Sequence, residues 1–175
     1  MTMSEERAPR MAALQRLAER GWSFETVIGV PFELPSELRS RYPLLPSALA
    51  LFHNDLKSCW NKGQTAWFVC RDDFAGASES EWRWNEMEEM MLVWAENEAE
   101  KATITAFWDA HIPVLLSTHS GYAYFAMCLQ PEKAGQIVHG LLESSLDETA
   151  TIAQSLPEFL TMLAAGKFPD ETGDS

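Results

Sequence analysis

The chain is short of cysteine, of basic side chains and of uninterrupted apolar stretches. Its three cysteines, Cys59, Cys70 and Cys128, are an odd number with no CxxC spacing, which excludes a fully paired disulfide framework and a zinc ribbon. A reducing compartment suits them best. No apolar run approaches the ~20 residues that cross a bilayer, and Glu5, Glu6, Arg7 and Arg10 precede any apolar stretch, unlike a secretory signal. A cytoplasmic location is therefore expected. Thirteen basic residues stand against 26 acidic ones, a net charge of −13. The negative field repels phosphate backbones and anionic lipid surfaces, so neither nucleic acid nor a membrane is an expected partner. The same field favours encounter with a basic protein.

Local catalytic machinery is missing as well. No GxSxG elbow, GxxxxGK[ST] phosphate loop or GxGxxG turn occurs, so the familiar serine-hydrolase and nucleotide routes lack their parts. No two of His53, His111, His119 and His139 have the i, i+4 spacing that sets two imidazoles on one helical face. A hairpin turning near residue 133 would set His139 opposite position 127, far from His119. Neither a metal nor a cofactor is expected. His111, at the end of a helical stripe, is placed to carry charge favourably there. Cys128 lies in an apolar run with no nearby cation to activate it, which reads as a small core residue. Adjacent acids such as Asp72 and Asp73, or Glu88 and Glu89, point apart on a helix and read as solvated. An enzyme is not expected.

What is present describes one ordinary domain. The 175 residues are 46% hydrophobic and 22% charged, a globular composition at a length that buries roughly two-thirds of its unfolded surface. Residues 9–168 form the expected domain, after a loose start over 1–8 and before a polar, acidic, disordered tail over 169–175. Met11, Leu14, Leu17 and Ala18 recur at helical spacing and stop at Gly21. Residues 22–34 read as an irregular or weakly extended connection. Pro35 and Ser36 open a short helix that Pro43 ends, and Pro46 opens another that carries Leu49 and Phe52. Trp60 to Gly63 is turn chemistry before a strand over 64–70. Met87, Met90, Met91 and Trp94 make one apolar stripe; Ile104, Phe107, Trp108 and His111 make another. Strands are expected over 114–117, 122–129 and 136–142, with residues 131–135 closing a hairpin. The run 122–129 is apolar on both faces and should be covered on both sides. Ser155 and Glu158 have capping-box spacing ahead of Leu156, Phe159, Leu160 and Leu163, and Gly166 stops that helix.

Several of these pieces, in this order, resemble the SMI1/KNR4 (SUKH) superfamily across roughly residues 34–163. They are Leu34-Pro35 with its short helix, Trp67-Phe68 on a strand and Phe107-Trp108 before Ile112-Pro113. Gly121-Tyr122-Ala123-Tyr124 follows, and the closing segment runs from Ile152 to Leu160. The resemblance implies an α+β domain, with helices packed around a mostly antiparallel sheet and no active site. It also implies work as an immunity protein that binds and neutralises a bacterial toxin, or as a protein-binding regulator. The chain departs from the pattern where His53-Asn54-Asp55 replaces an Asn-Gly, and where Ser120-Gly121-Tyr122 replaces a Gly-Asp.

Residues 71–100 hold ten acidic side chains and two basic ones, so most of the net charge sits there. Within this stretch Asp72, Asp73, Glu79, Glu81, Trp82, Trp84, Glu86 and Glu89 are the expected partner-binding residues. They form an acidic rim around aromatic anchors of the kind that dominate protein interfaces. The expected partner is a basic toxin domain. A scaffold module with a housekeeping partner is the alternative, and a hydrolase with pocket carboxylates is a more distant one.

Overall fold

The computed structural model describes residues 3–27 and 29–173. Among them, the strands β1 (Ser23–Thr26), β2 (Leu56–Trp60), β3 (Ala66–Phe68), β4 (His111–Ser117), β5 (Ala123–Cys128), β6 (Ile137–Leu141) and β7 (Ala150–Ala153) form one antiparallel sheet in chain order. Helices flank it: α1 (Met3–Glu19), α2 (Ser36–Arg39), α3 (Ser47–Asp55), α4 (Arg71–Ala75), α5 (Glu86–Trp94), α6 (Glu98–Asp109), α7 (Leu156–Ala164) and α8 (Pro169–Thr172). The protein is thus a single α+β domain with helices around an antiparallel sheet.

Cross-strand register sorts the large side chains onto two faces. Phe68, Leu115 and Phe125 lie in one row, and α1, α3 and α7 pack together over it. Phe68 meets Phe52 at 5.2 Å and Phe159 at 6.4 Å, and Phe125 meets Phe159 at 4.9 Å. The opposite row is Trp60, Trp67, Leu116 and Tyr124. There α6 sets Trp108 5.1 Å from Tyr124, while the Trp108 indole N–H donates to Met91 Sδ of α5 at 3.4 Å. Every residue of β5 is buried, as a strand covered on both sides requires. Gly140 faces Tyr124 across the β5–β6 ladder; a Cβ there would fall 2.2 Å from the phenol oxygen, so only glycine fits beside that ring.

Capping chemistry explains several boundaries. Ser155 Oγ accepts the Glu158 N–H at 3.2 Å, although the Glu158 carboxylate reaches back to the N–H of Gln154 rather than that of Ser155. Gly166 then adopts φ +73°, ending the C-terminal turn of α7 in left-handed geometry. Asn97 Oδ1 accepts the Glu100 N–H at 2.9 Å and starts α6.

The structure corrects several expectations. Helix α1 begins at Met3, through most of the expected loose start; residues 1 and 2 lie outside the described residues. The supposed tail contains α8, where Thr172 is buried; residues 174 and 175 again lie outside. The 22–34 connection contains β1, and the strand expected over 64–70 is the shorter β3. His139 pairs with Phe125, not with position 127. Trp94 is 55% exposed, because α5 buries Met87, Met91 and, against the expectation of a solvated acid, Glu88, and the next turn runs past the core. His111 opens β4 and stacks 4.1 Å from Phe107, and burial lowers its pKa, which disfavours the charge expected at a helix end.

Candidate functional site

On the sheet face where α6 covers Tyr124, the β1–β3 half is left to the segment that follows α4. Between that segment and the strands lies an open groove of about 690 Å³. Its floor comes from β2 and β3, where Trp60 and Trp67 are direct cross-strand partners and both half-buried. Their pairing follows from the turn between them. Asn61 Oδ1 accepts the N–H groups of Thr65 and Ala66 at 2.8 and 3.0 Å, and Gln64 takes φ +55° to complete the reversal. Asn61 is itself buried, and its amide donates to the Thr172 carbonyl at 2.7 Å, which locks the turn to α8.

The wall is built from α4 and residues 77–82. Asp73 Oδ2 accepts the Cys70 N–H at 2.7 Å, which caps α4 and fixes the helix start. Burial pushes the Asp73 carboxyl above its ordinary range, against the opposing pull of the Cys70 N–H and the Ser78 hydroxyl. Gly76 ends α4 at φ +70°, a left-handed position that turns the chain along the sheet. Two hydroxyl turns follow, with the Ser80 N–H donating to Ser78 Oγ and the Trp82 N–H to Ser80 Oγ. Trp82 then anchors the wall edge-on against Trp67 at 5.4 Å and Tyr122 at 5.2 Å. Across the groove stand Glu25 of β1 and Lys57 of β2, 3.8 Å from each other.

Five of the eight expected residues meet here: Asp72, Asp73, Glu79, Glu81 and Trp82. The other three do not. Trp84 turns inward against Phe74 at 5.7 Å and Tyr42 at 6.0 Å. Glu86 and Glu89 lie on α5 and pair with Arg83. The acidic stretch is therefore several separate clusters rather than one face. Among the described residues Asp72, Asp73, Glu79 and Glu81 form no ion pair, nor do Glu96 and Glu100 outside the groove, whereas Glu86, Glu88 and Glu89 each have an arginine and Glu98 has Lys101.

Trp60, Trp67, Glu25 and Lys57 are site residues that the sequence reading missed. A signal for the two tryptophans was available, since they stand equally far from the Gly63-Gln64 centre of one turn and a hairpin pairs such positions. Glu25 and Lys57 belong to strands whose irregular burial hides the period of two. Chemically, the groove offers carboxylates, indole faces, serine hydroxyls and one ammonium group, that of Lys57 facing Glu25, and no histidine is among its described lining residues. No three His, Cys, Asp or Glu side chains gather as a metal site among the described residues, and none of their helices is long and apolar enough to cross a membrane. In comparisons with family models, with curated proteins and with solved structures, nothing matches the chain.

Proposed function

We propose that this chain is a protein-binding domain of the immunity type, which holds a basic segment of a toxin in the groove between α4, residues 77–82 and the β1–β3 sheet face. The observation that carries the reading is the set of four wall carboxylates that form no ion pair among the described residues, set beside half-buried tryptophans. Uncompensated carboxylates repel one another and gain most from an incoming cation. Tryptophan supplies the desolvated contact area that concentrates binding energy. The order of motifs shared with the SMI1/KNR4 superfamily supports a toxin as the partner. A complex of this kind buries on the order of 1600 Å² in total, more than the groove alone, so flanking surface joins the contact.

The test is co-expression with the product of the neighbouring gene. The pair is expected to co-purify, and the chain to protect cells from that product. The double substitution Glu79→Lys with Glu81→Lys, both at exposed positions, should abolish both effects while the melting temperature stays unchanged. Protection that survives the charge reversal would remove the groove from the account.

A further inference from the structure

The molecule shows, with one of its own arginines, how it binds such a group. The Arg41 guanidinium lies 5.3 Å from the Tyr42 ring centre and 6.0 Å from that of Trp84. Its Nη1 donates to Glu88 Oε1 at 2.8 Å and its Nε to Asp109 Oδ1 at 2.8 Å. Two aromatic faces and two carboxylates thus surround one planar cation, and Glu88 is buried to 7% exposure in doing so.

Two residues before Trp84 the chain presents the same ingredients again, without the arginine. Trp82 stands edge-on to Trp67, with Trp60 beside it on the floor, and Asp72, Glu79 and Glu81 border them. At about 690 Å³ the space is several times the size of one side chain, and it is partly open to solvent. It therefore suits a protruding stretch of a folded partner rather than an isolated small cation. Guanidinium is the cation that fits such a wall. It is planar, weakly hydrated, stacks on indole and takes carboxylates two at a time, whereas ammonium is a compact, strongly hydrated point charge.

We infer that the groove takes an arginine-bearing loop of the partner, with the guanidinium held between the Trp60, Trp67 and Trp82 indoles and the wall carboxylates as Arg41 is held by Trp84, Tyr42, Glu88 and Asp109. The inference rests on the proposed protein-binding role and narrows it to one side chain.

The whole chain, labelled with nitrogen-15, is titrated with a blocked six-residue peptide of glycine and serine carrying two arginines, and with its lysine and citrulline counterparts. Indole N–H signals are assigned by single tryptophan-to-phenylalanine substitutions. The arginine peptide is expected to move the signals of Trp60, Trp67 and Trp82. The lysine peptide should bind about fivefold more weakly, the citrulline peptide should leave the signals in place, and Glu79→Gln with Glu81→Gln should weaken the arginine peptide. Equal binding of arginine and lysine peptides would overturn the guanidinium assignment and leave a generally basic partner standing. An arginine peptide that moves only other indoles, or none, would overturn it too. The toxin-protection experiment judges the parent reading separately, since it uses no peptide.

Discussion

The imidazole of His53 is buried among aromatic rings. It is 1% exposed, neither ring nitrogen has a hydrogen-bond partner among the described residues, and Phe32, Phe52 and Phe74 surround it at 4.8, 5.4 and 5.6 Å. Burial, assisted by the nearby Arg71 charge, lowers its pKa from 6.5 to about 3. The unfolded chain takes up this proton near pH 6.5 and the folded chain only near 3, so between those values the unfolded state binds more protons. Stability from this group is complete above 6.5 and drains away as the pH falls toward 3, at about 1.4 kcal/mol for each unit of displacement. Urea denaturation should therefore show a loss between pH 7 and pH 4.5 that is smaller by one to a few kcal/mol in His53→Phe; equal losses in the two proteins would contradict the buried, neutral assignment. The placement was partly legible. Leu49, Phe52 and His53 stand at i, i+3 and i+4, an apolar stripe with a histidine in it, but sequence spacing does not reveal that Phe32 and Phe74 close over the ring from distant segments.

At the scale of elements, the C-terminal helix α8 departs furthest from the sequence reading. Residues 169–173 look like a solvated tail because they are polar and lack an apolar period. What holds them is a set of polar ties that no periodicity records. Ser117 Oγ donates to the Glu171 carbonyl at 2.5 Å, Asn61 Nδ2 donates to the Thr172 carbonyl at 2.7 Å, and His139 Nε2 lies 3.0 Å from Glu171 Oε1. The Glu171 carboxyl is held below its ordinary range by that histidine. Ending the chain after Phe168 should leave Asn61 and Ser117 buried without these partners, at a cost of about 1–3 kcal/mol for each group so stranded. Thermal unfolding of the truncated chain should show a melting temperature lower by several degrees; an unchanged value would mean that the ties carry no stability. Strands β2 and β7 escaped the sequence reading for a related reason, since their burial follows neither a clean alternation nor a continuous apolar run. By contrast α7 was legible almost to the residue, because its serine cap, its apolar stripe and its glycine stop agree with one another.

On the scale of the whole molecule, charge and topology act together. The sequence places most of its negative charge between residues 71 and 100, but it does not show how that charge is partitioned. Folding brings Arg41 from a distant loop to Glu88 and leaves Arg83 to Glu86 and Glu89, so part of the charge is consumed internally. Of the carboxylates in this stretch that form no ion pair among the described residues, four stand beside the tryptophan floor, while Glu96 and Glu100 do not line the groove. That floor exists because the chain-order sheet sets β2 against β3, a pairing in which the sequence reading recognised only the second strand. The antiparallel sheet and its flanking helices were legible from strand-like runs and helical stripes; the groove was not, because half of its lining lies outside the acidic stretch. The most direct check is amide hydrogen exchange of the chain alone and in complex with the partner that co-purifies with it. Slowed exchange concentrated in residues 57–60 and 72–82, diminished as ionic strength rises, is the predicted result. Slowing confined to the α1, α3 and α7 face, with the groove unchanged, would contradict it.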